Sequence, residues 1–164
     1  MSVESARTME GGCICGAVRF VARNVPRTFG ICHCPTCRRW TGSAFLEVSV
    51  KTEDLTWHGA EHIATRSSSE WAERAWCREC GTNLYFKQTR ENKWFGGTDL
   101  PLGIFDEPDG FELAHEIFID RKPTSFAYAG DNHKRLTRAD VVSLNPDVAE
   151  DPAIATADAD GGEL

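Results

Sequence analysis

Seven cysteines stand in three tight groups: Cys13-Ile14-Cys15, Cys32-His33-Cys34-Pro35-Thr36-Cys37 and Cys77-Arg78-Glu79-Cys80. Such spacings belong to metal or redox sites, and an odd total suits a disulfide framework poorly. The outer groups sum to four thiols, enough to close a tetrahedral zinc site. The middle group has three, which leave a fourth corner open. A closed site holds a fold together, whereas an open one is able to do chemistry. The arithmetic therefore predicts one structural metal and one that acts on a substrate.

The remaining composition says where such a chain works. Its 164 residues fit one domain, and 41% hydrophobic residues with 10% aromatics give a modest core. Two internal metals would add stability to it. The net charge is −7, and six of the acids lie between Asn145 and Leu164, a stretch with no Lys or Arg. This predicts a nearly neutral body and an acidic, disordered tail over 145–164. Arg38-Arg39 is the nearest approach to a cationic cluster, so nucleic acid is excluded as a partner. No apolar run approaches the ~20 residues of a membrane span, and the N-terminus has no hydrophobic leader core. Neither a membrane partner nor export is expected, and the expected compartment is the cytoplasm, where thiols stay reduced.

Alternation of apolar and polar residues marks strands at 17–22 and 44–50; a strand at 83–87 and extended segments at 28–31, 71–76, 94–97 and 111–119 complete the reading. Short helical pieces are expected near 52–55, 101–105 and 138–142, and turns at 35–37 and 40–43. Many short strands punctuated by glycine predict a mainly β fold. The expected organisation is an extension over 1–10, one zinc-binding domain over 11–144 and the tail. Trp57, Trp71, Trp76 and Trp94 are assigned to the core.

In the closed site, Cys13 and Cys15 meet Cys77 and Cys80 from about 60 residues away, so the metal staples early strands to later ones. Gly16 and Gly81 follow each pair and are expected to turn the backbone and aim amides at sulfur. Four thiolates on zinc carry −2, which leaves no affinity for a further anion and makes the role structural. In the open site, an extended backbone puts Cys32 and Cys34 on one face and His33 on the other. Pro35 then turns Cys37 back to the same metal. His33 is thus assigned to hydrogen bonding or packing, while His58, His62, His115 or an acid remain alternatives for the fourth corner. Three thiolates make zinc a weak Lewis acid, better suited to binding a thiol than to making hydroxide. Arg38 and Arg39 offer guanidinium forks for a substrate carboxylate, Ser43 a hydroxyl and Gly42 its backbone amide.

The runs Gly11–Phe20, Cys32–Ser43 and Cys77–Leu84, with His115–Pro123, resemble the glutathione-dependent formaldehyde-activating enzyme family, whose domain is shared with centromere protein V. The resemblance implies a β-sheet domain of β-tent type with two zinc ions. Residues Cys13, Cys15, Cys77 and Cys80 would hold one, and Cys32, Cys34 and Cys37 the other. It also implies a carbon–sulfur lyase that joins formaldehyde to glutathione, giving S-hydroxymethylglutathione, with small thiol and aldehyde partners and a homodimer as a conceivable assembly. The chain departs from the family after Lys122-Pro123, where Ser125-Phe126-Ala127-Tyr128 replaces a tryptophan-containing segment. A pocket lined by that segment would take a different substrate. A non-catalytic zinc module for partner binding is the rival reading, and thiol–zinc redox or metal handling is a third.

Overall fold

A computed structural model describes residues 7–151 of the protein. Its strands are β1 (Arg7–Gly12), β2 (Arg19–Val25), β3 (Thr28–Cys32), β4 (Phe45–Lys51), β5 (Leu55–His58), β6 (Ile63–Ser69), β7 (Ala72–Cys77), β8 (Asn83–Gln88), β9 (Gly97–Pro101), β10 (Glu112–Ile117) and β11 (Lys134–Leu136). The helices are α1 (Pro35–Thr41) and α2 (Arg138–Leu144), each two turns long, and the expected helical pieces at 52–55 and 101–105 are 3-10 turns. The fold is mainly β, as the alternation predicts.

Two compact units divide the described chain, one formed by residues up to Phe29 with Glu47–Glu112, the other by Gly30–Leu46 with residues from Leu113 onward. In the first unit, β1, β2 and β5 form an antiparallel sheet, and Glu47–Lys51 of β4 leads a second run in the order β4-β9-β8-β7-β6. Strand β2 shows the predicted period of two: Phe20 and Ala22 are buried between half-buried Arg19 and Val21. Asn24, at φ 52°, then breaks the alternation where the β1–β2 register slips. Phe20 packs edge-on against Trp57 and Phe105, with ring centroids 5.6 and 5.2 Å away. Burying such a ring stabilises a fold by roughly 1.5–3 kcal/mol. Val18, Val48, Leu84 and Leu100 complete a core that reaches Cys13 and Cys77.

In the second unit, β11, β10 and the end of β3 lie side by side, with β10 and β11 parallel and His115 opposite Lys134. The amide of His33 continues the pairing past β3 by donating to the Ile117 carbonyl, 3.1 Å. Helix α2 starts at a capping box in which Thr137 and Asp140 satisfy each other's backbone amides.

Several expectations are corrected. The segment from Pro35 to Thr41 is a helix, because Cys34 caps it and Pro35 occupies its first turn, where a missing N–H costs nothing. Residues 94–96 form a turn rather than an extended piece: the Asn92 side chain accepts from the Trp94 amide, 2.8 Å, and its carbonyl from Phe95, 3.0 Å. Trp94 is accordingly 47% exposed and not core, whereas Trp71 is buried. Trp57 and Trp76 are half-buried. Arg7 to Glu10 of the expected extension belong to β1, and residues 1–6 lie outside the described residues. Of the expected acidic tail, Pro146–Glu150 forms a 3-10 turn that buries Val148, and buried Asp151 accepts from the Thr36 hydroxyl, 3.2 Å; residues 152–164 lie outside the described residues.

Candidate metal centres and the pocket beside the three-cysteine cluster

Cys13 and Cys15 sit in the turn after β1, Cys77 ends β7, and Cys80 lies in the turn before β8. Their four sulfurs lie within 4.8 Å of one another, with Cys13–Cys15 at 3.5 Å and Cys15–Cys77 at 3.8 Å. A zinc–sulfur bond of about 2.3 Å in a tetrahedron sets neighbouring sulfurs about 3.8 Å apart, so the group fits such an ion. It draws its ligands from both strand runs of the first unit.

Backbone amides approach these sulfurs, but not those of Gly16 and Gly81, which lie at φ 77° and 79° and bond the Cys13 and Cys77 carbonyls. The turns are as expected; the sulfur contacts come one or two residues later, from Val18 to Cys13 at 3.3 Å and from Ala17 to Cys15. Thr82 is the residue that sequence reasoning missed. Its hydroxyl oxygen lies 3.2 Å from the Cys80 sulfur and accepts from the Ile14 amide, 3.1 Å, linking the two cysteine pairs. The Thr82 hydroxyl and amide hold the Cys80 thiol down to about 5. Although the Ala17 amide lowers it, the Cys15 thiol is pushed up to about 12 by the neighbouring Cys13, Cys80 and Cys77 sulfurs. The crowded sulfurs oppose ionisation of Cys15, and a dication removes that opposition.

The second cluster is buried throughout. The Cys32, Cys34 and Cys37 sulfurs lie within 4.8 Å of one another, and no His, Asp or Glu joins them among the described residues. The Cys34 sulfur accepts from the Cys37 amide, 3.3 Å, as the N-cap of α1, so the helix itself brings Cys37 back to Cys34. Cys34, Cys37 and burial together push the Cys32 thiol up. This set also fits a metal ion, with three protein ligands.

His33, between two of these ligands, is 1% exposed. Its Nε2 lies 2.7 Å from Glu116 Oε2, and His133 Nε2 lies 2.7 Å from Glu116 Oε1. Arg135 stands 3.7 Å from the same carboxylate. Burial raises the Glu116 carboxyl, but the His33 and His133 bonds outweigh it and hold the group below the ordinary carboxylate range. A carboxylate only accepts, so both Nε2 atoms carry protons. The assignment of His33 to hydrogen bonding is thus what the structure shows, with Glu116 and His133 as partners the sequence did not reveal.

A pocket of about 210 Å³ lies in the same unit, with His33, Arg38, Gly42, Ser43, Pro123 and Phe126 among its walls. Arg38 and Ser43 therefore reach it, whereas Arg39, exposed on α1, is not part of its lining. The Gly42 amide is spent on the Arg38 carbonyl at the end of α1, 2.9 Å, and is not available to a substrate. Burial raises the Tyr128 phenol, and the Ser43 side chain hydrogen-bonds it. Lys122 donates to the Pro123 carbonyl, 2.7 Å, and to that of Phe126, which braces this wall.

Several known proteins are similar to this chain. Residues 8–121 match the family described as glutathione-dependent formaldehyde-activating enzyme. An uncharacterized lyase of Schizosaccharomyces pombe is 34% identical over 121 residues, covering 73% of this chain and 85% of that protein. A putative glutathione-dependent formaldehyde-activating enzyme of Halomonas elongata is 34% identical over 85 residues, covering 47% of this chain and 54% of that protein, about half its length. A crystal structure of a Rhodobacter sphaeroides protein aligns with a TM-score of 0.49 and 24% identity over 60% of this chain and 88% of that one. With the matched stretch taking in all seven cysteines, the chain belongs to the glutathione-dependent formaldehyde-activating enzyme family.

Proposed function

We propose that the protein is a carbon–sulfur lyase that adds a thiol, glutathione or one like it, to formaldehyde or another small aldehyde. The observation that carries the reading is the cluster of Cys32, Cys34 and Cys37, three sulfurs with no fourth protein ligand among the described residues. A zinc ion held there supplies a soft, open coordination position suited to a substrate thiol. A second zinc, on Cys13, Cys15, Cys77 and Cys80, keeps the first unit folded and takes no substrate. In the reaction the C–S bond forms, the carbonyl π bond breaks, and the thiol proton ends on the new hydroxyl.

This chain's residues shape the site around that chemistry. Arg38 offers a cation to a substrate carboxylate at the pocket, and Ser43 with Tyr128 offers hydroxyls. Burial of Cys32, Cys34 and Cys37 keeps water away from the sulfurs. The cysteines form no disulfide, which suits a reducing compartment such as the cytoplasm. The partners are small molecules.

The test follows formaldehyde with glutathione by NMR magnetisation exchange, with and without zinc-loaded protein. The account predicts faster exchange between formaldehyde and the hydroxymethyl adduct, abolished by Cys34→Ala. Exchange at the uncatalysed rate, with both metals bound, would instead support a non-catalytic zinc module.

A further inference from the structure

The two cysteine clusters differ in a property that the thiol chemistry does not use, the access of solvent to sulfur. Cys32, Cys34 and Cys37 are all buried, but only Cys13 and Cys77 are buried in the four-cysteine centre. Cys15 is exposed and Cys80 half-buried, and their thiols lie at the surface, whereas the Cys32 thiol is enclosed. Cys15 occupies the turn after β1, between Ile14, 87% exposed, and Gly16 at φ 77°. In both centres a bound metal keeps the sulfurs as thiolates. Accessibility is then what separates them, because oxidation follows exposure as well as charge.

A neighbour close enough to capture the oxidised sulfur is also present. All four sulfurs lie within 4.8 Å of one another, so little movement brings two of them to a bond of about 2 Å. A bond from Cys15 back to Cys13 would close a ring across a single residue, against the dihedral a disulfide prefers. Cys77 ends strand β7 and is 0% exposed. Cys80 lies in the turn that follows and is the other sulfur of this centre within reach of solvent.

We propose that Cys15 is a modification site for hydroperoxides, oxidised before the other cysteines and then joined to Cys80 as a disulfide. The Cys15 sulfur attacks one peroxide oxygen; an S–O bond forms, the O–O bond breaks and hydroxide leaves. The Cys80 sulfur then attacks the Cys15 sulfur; the S–S bond forms, the S–O bond breaks and a second hydroxide leaves. The two thiolates lose two electrons, the peroxide gains them, and both hydroxides take up protons from solvent to become water. The centre thereby gives up two of its four ligands, and with them the tie between the turn after β1 and the turn before β8. The buried three-cysteine cluster keeps its thiols. Transient disulfides of this kind are the ones found in reducing compartments. The inference rests on the four-cysteine centre holding a metal and not on the addition of thiols to aldehydes.

The test adds hydrogen peroxide to zinc-loaded, full-length protein, follows released zinc with a chromogenic chelator, and maps disulfides by mass spectrometry at early times. Trypsin cuts after Arg78, so Cys77 and Cys80 fall in different peptides, and fragmentation resolves Cys13 from Cys15. Loss of about half the bound zinc is expected, in step with a Cys15–Cys80 disulfide, while Cys32, Cys34 and Cys37 stay open to alkylation after denaturation. Dithiothreitol with added zinc should restore the metal. Oxidation of Cys32, Cys34 or Cys37 before Cys15 overturns the proposal, as does zinc retained with Cys15 still reduced. If alkylation finds Cys13, Cys15, Cys77 and Cys80 unprotected before peroxide is added, the centre holds no metal and the proposal falls with it. The readouts are zinc and disulfide content of the wild type, so no variant has to fold, and a failure of the lyase reading would leave them unchanged.

Discussion

Thr82 shows how one side chain sets the behaviour of a thiolate group. Its hydroxyl touches the Cys80 sulfur and the Ile14 amide at once, so it joins the two halves of the four-cysteine centre. Partners of this kind are worth roughly 10–100-fold in metal affinity. Thr82→Val keeps the shape and removes the hydroxyl; chelator competition is expected to show about tenfold weaker metal retention at this centre. The Cys80 thiol, no longer held near 5, should also react with alkylating agents only at higher pH in metal-free protein. Nothing in the sequence marked Thr82, because its role depends on a turn that brings residues 68 positions apart together. The cysteines themselves were legible, since Cys-x-Cys and Cys-x-x-Cys spacings are local and chemically specific. Charge alone marks Arg39 in the sequence; it is exposed on helix α1 and does not line the pocket that its neighbour Arg38 reaches.

Strands β3 and β10 and helix α1 turn a short motif into a shaped site. Alternation along β3 predicts that Cys32 and His33 face opposite ways, but not that Glu116 on β10 and His133 before β11 await the imidazole. That network is long-range and has no local signature. Strand alternation was readable for β2 and β4, where one side is packed. Helix α1 was missed because Cys34, an unusual capping residue, starts it. The Glu116 carboxyl titrates below the ordinary range, so its stabilising effect is complete above that range and is lost as pH falls through the lowered value. Glu116→Gln leaves a buried imidazole N–H poorly matched and is expected to cost about 2 kcal/mol at neutral pH. The difference in melting temperature between wild type and variant should shrink toward zero at acid pH. A difference that persists unchanged there would contradict the ionised bridge.

The whole molecule pairs two compact units with two cysteine clusters, one in each. The sequence predicted a single domain because no linker separates the units: the chain passes between them at residues 29–30, 46–47 and 112–113, inside strands β3, β4 and β10. Among the described residues, no helix is long and apolar enough to cross a membrane. The central claim is a division of labour, with a closed four-thiolate centre and an open three-thiolate centre. The most direct measurement is the absorption spectrum of the cobalt-substituted protein titrated with glutathione, since cobalt reports thiolate number and coordination. The account predicts a saturable shift of the charge-transfer bands that disappears in Cys34→Ala, which stays folded, while Cys80→Ala loses the fold. A spectrum of two fully coordinated metals that ignores glutathione would contradict it.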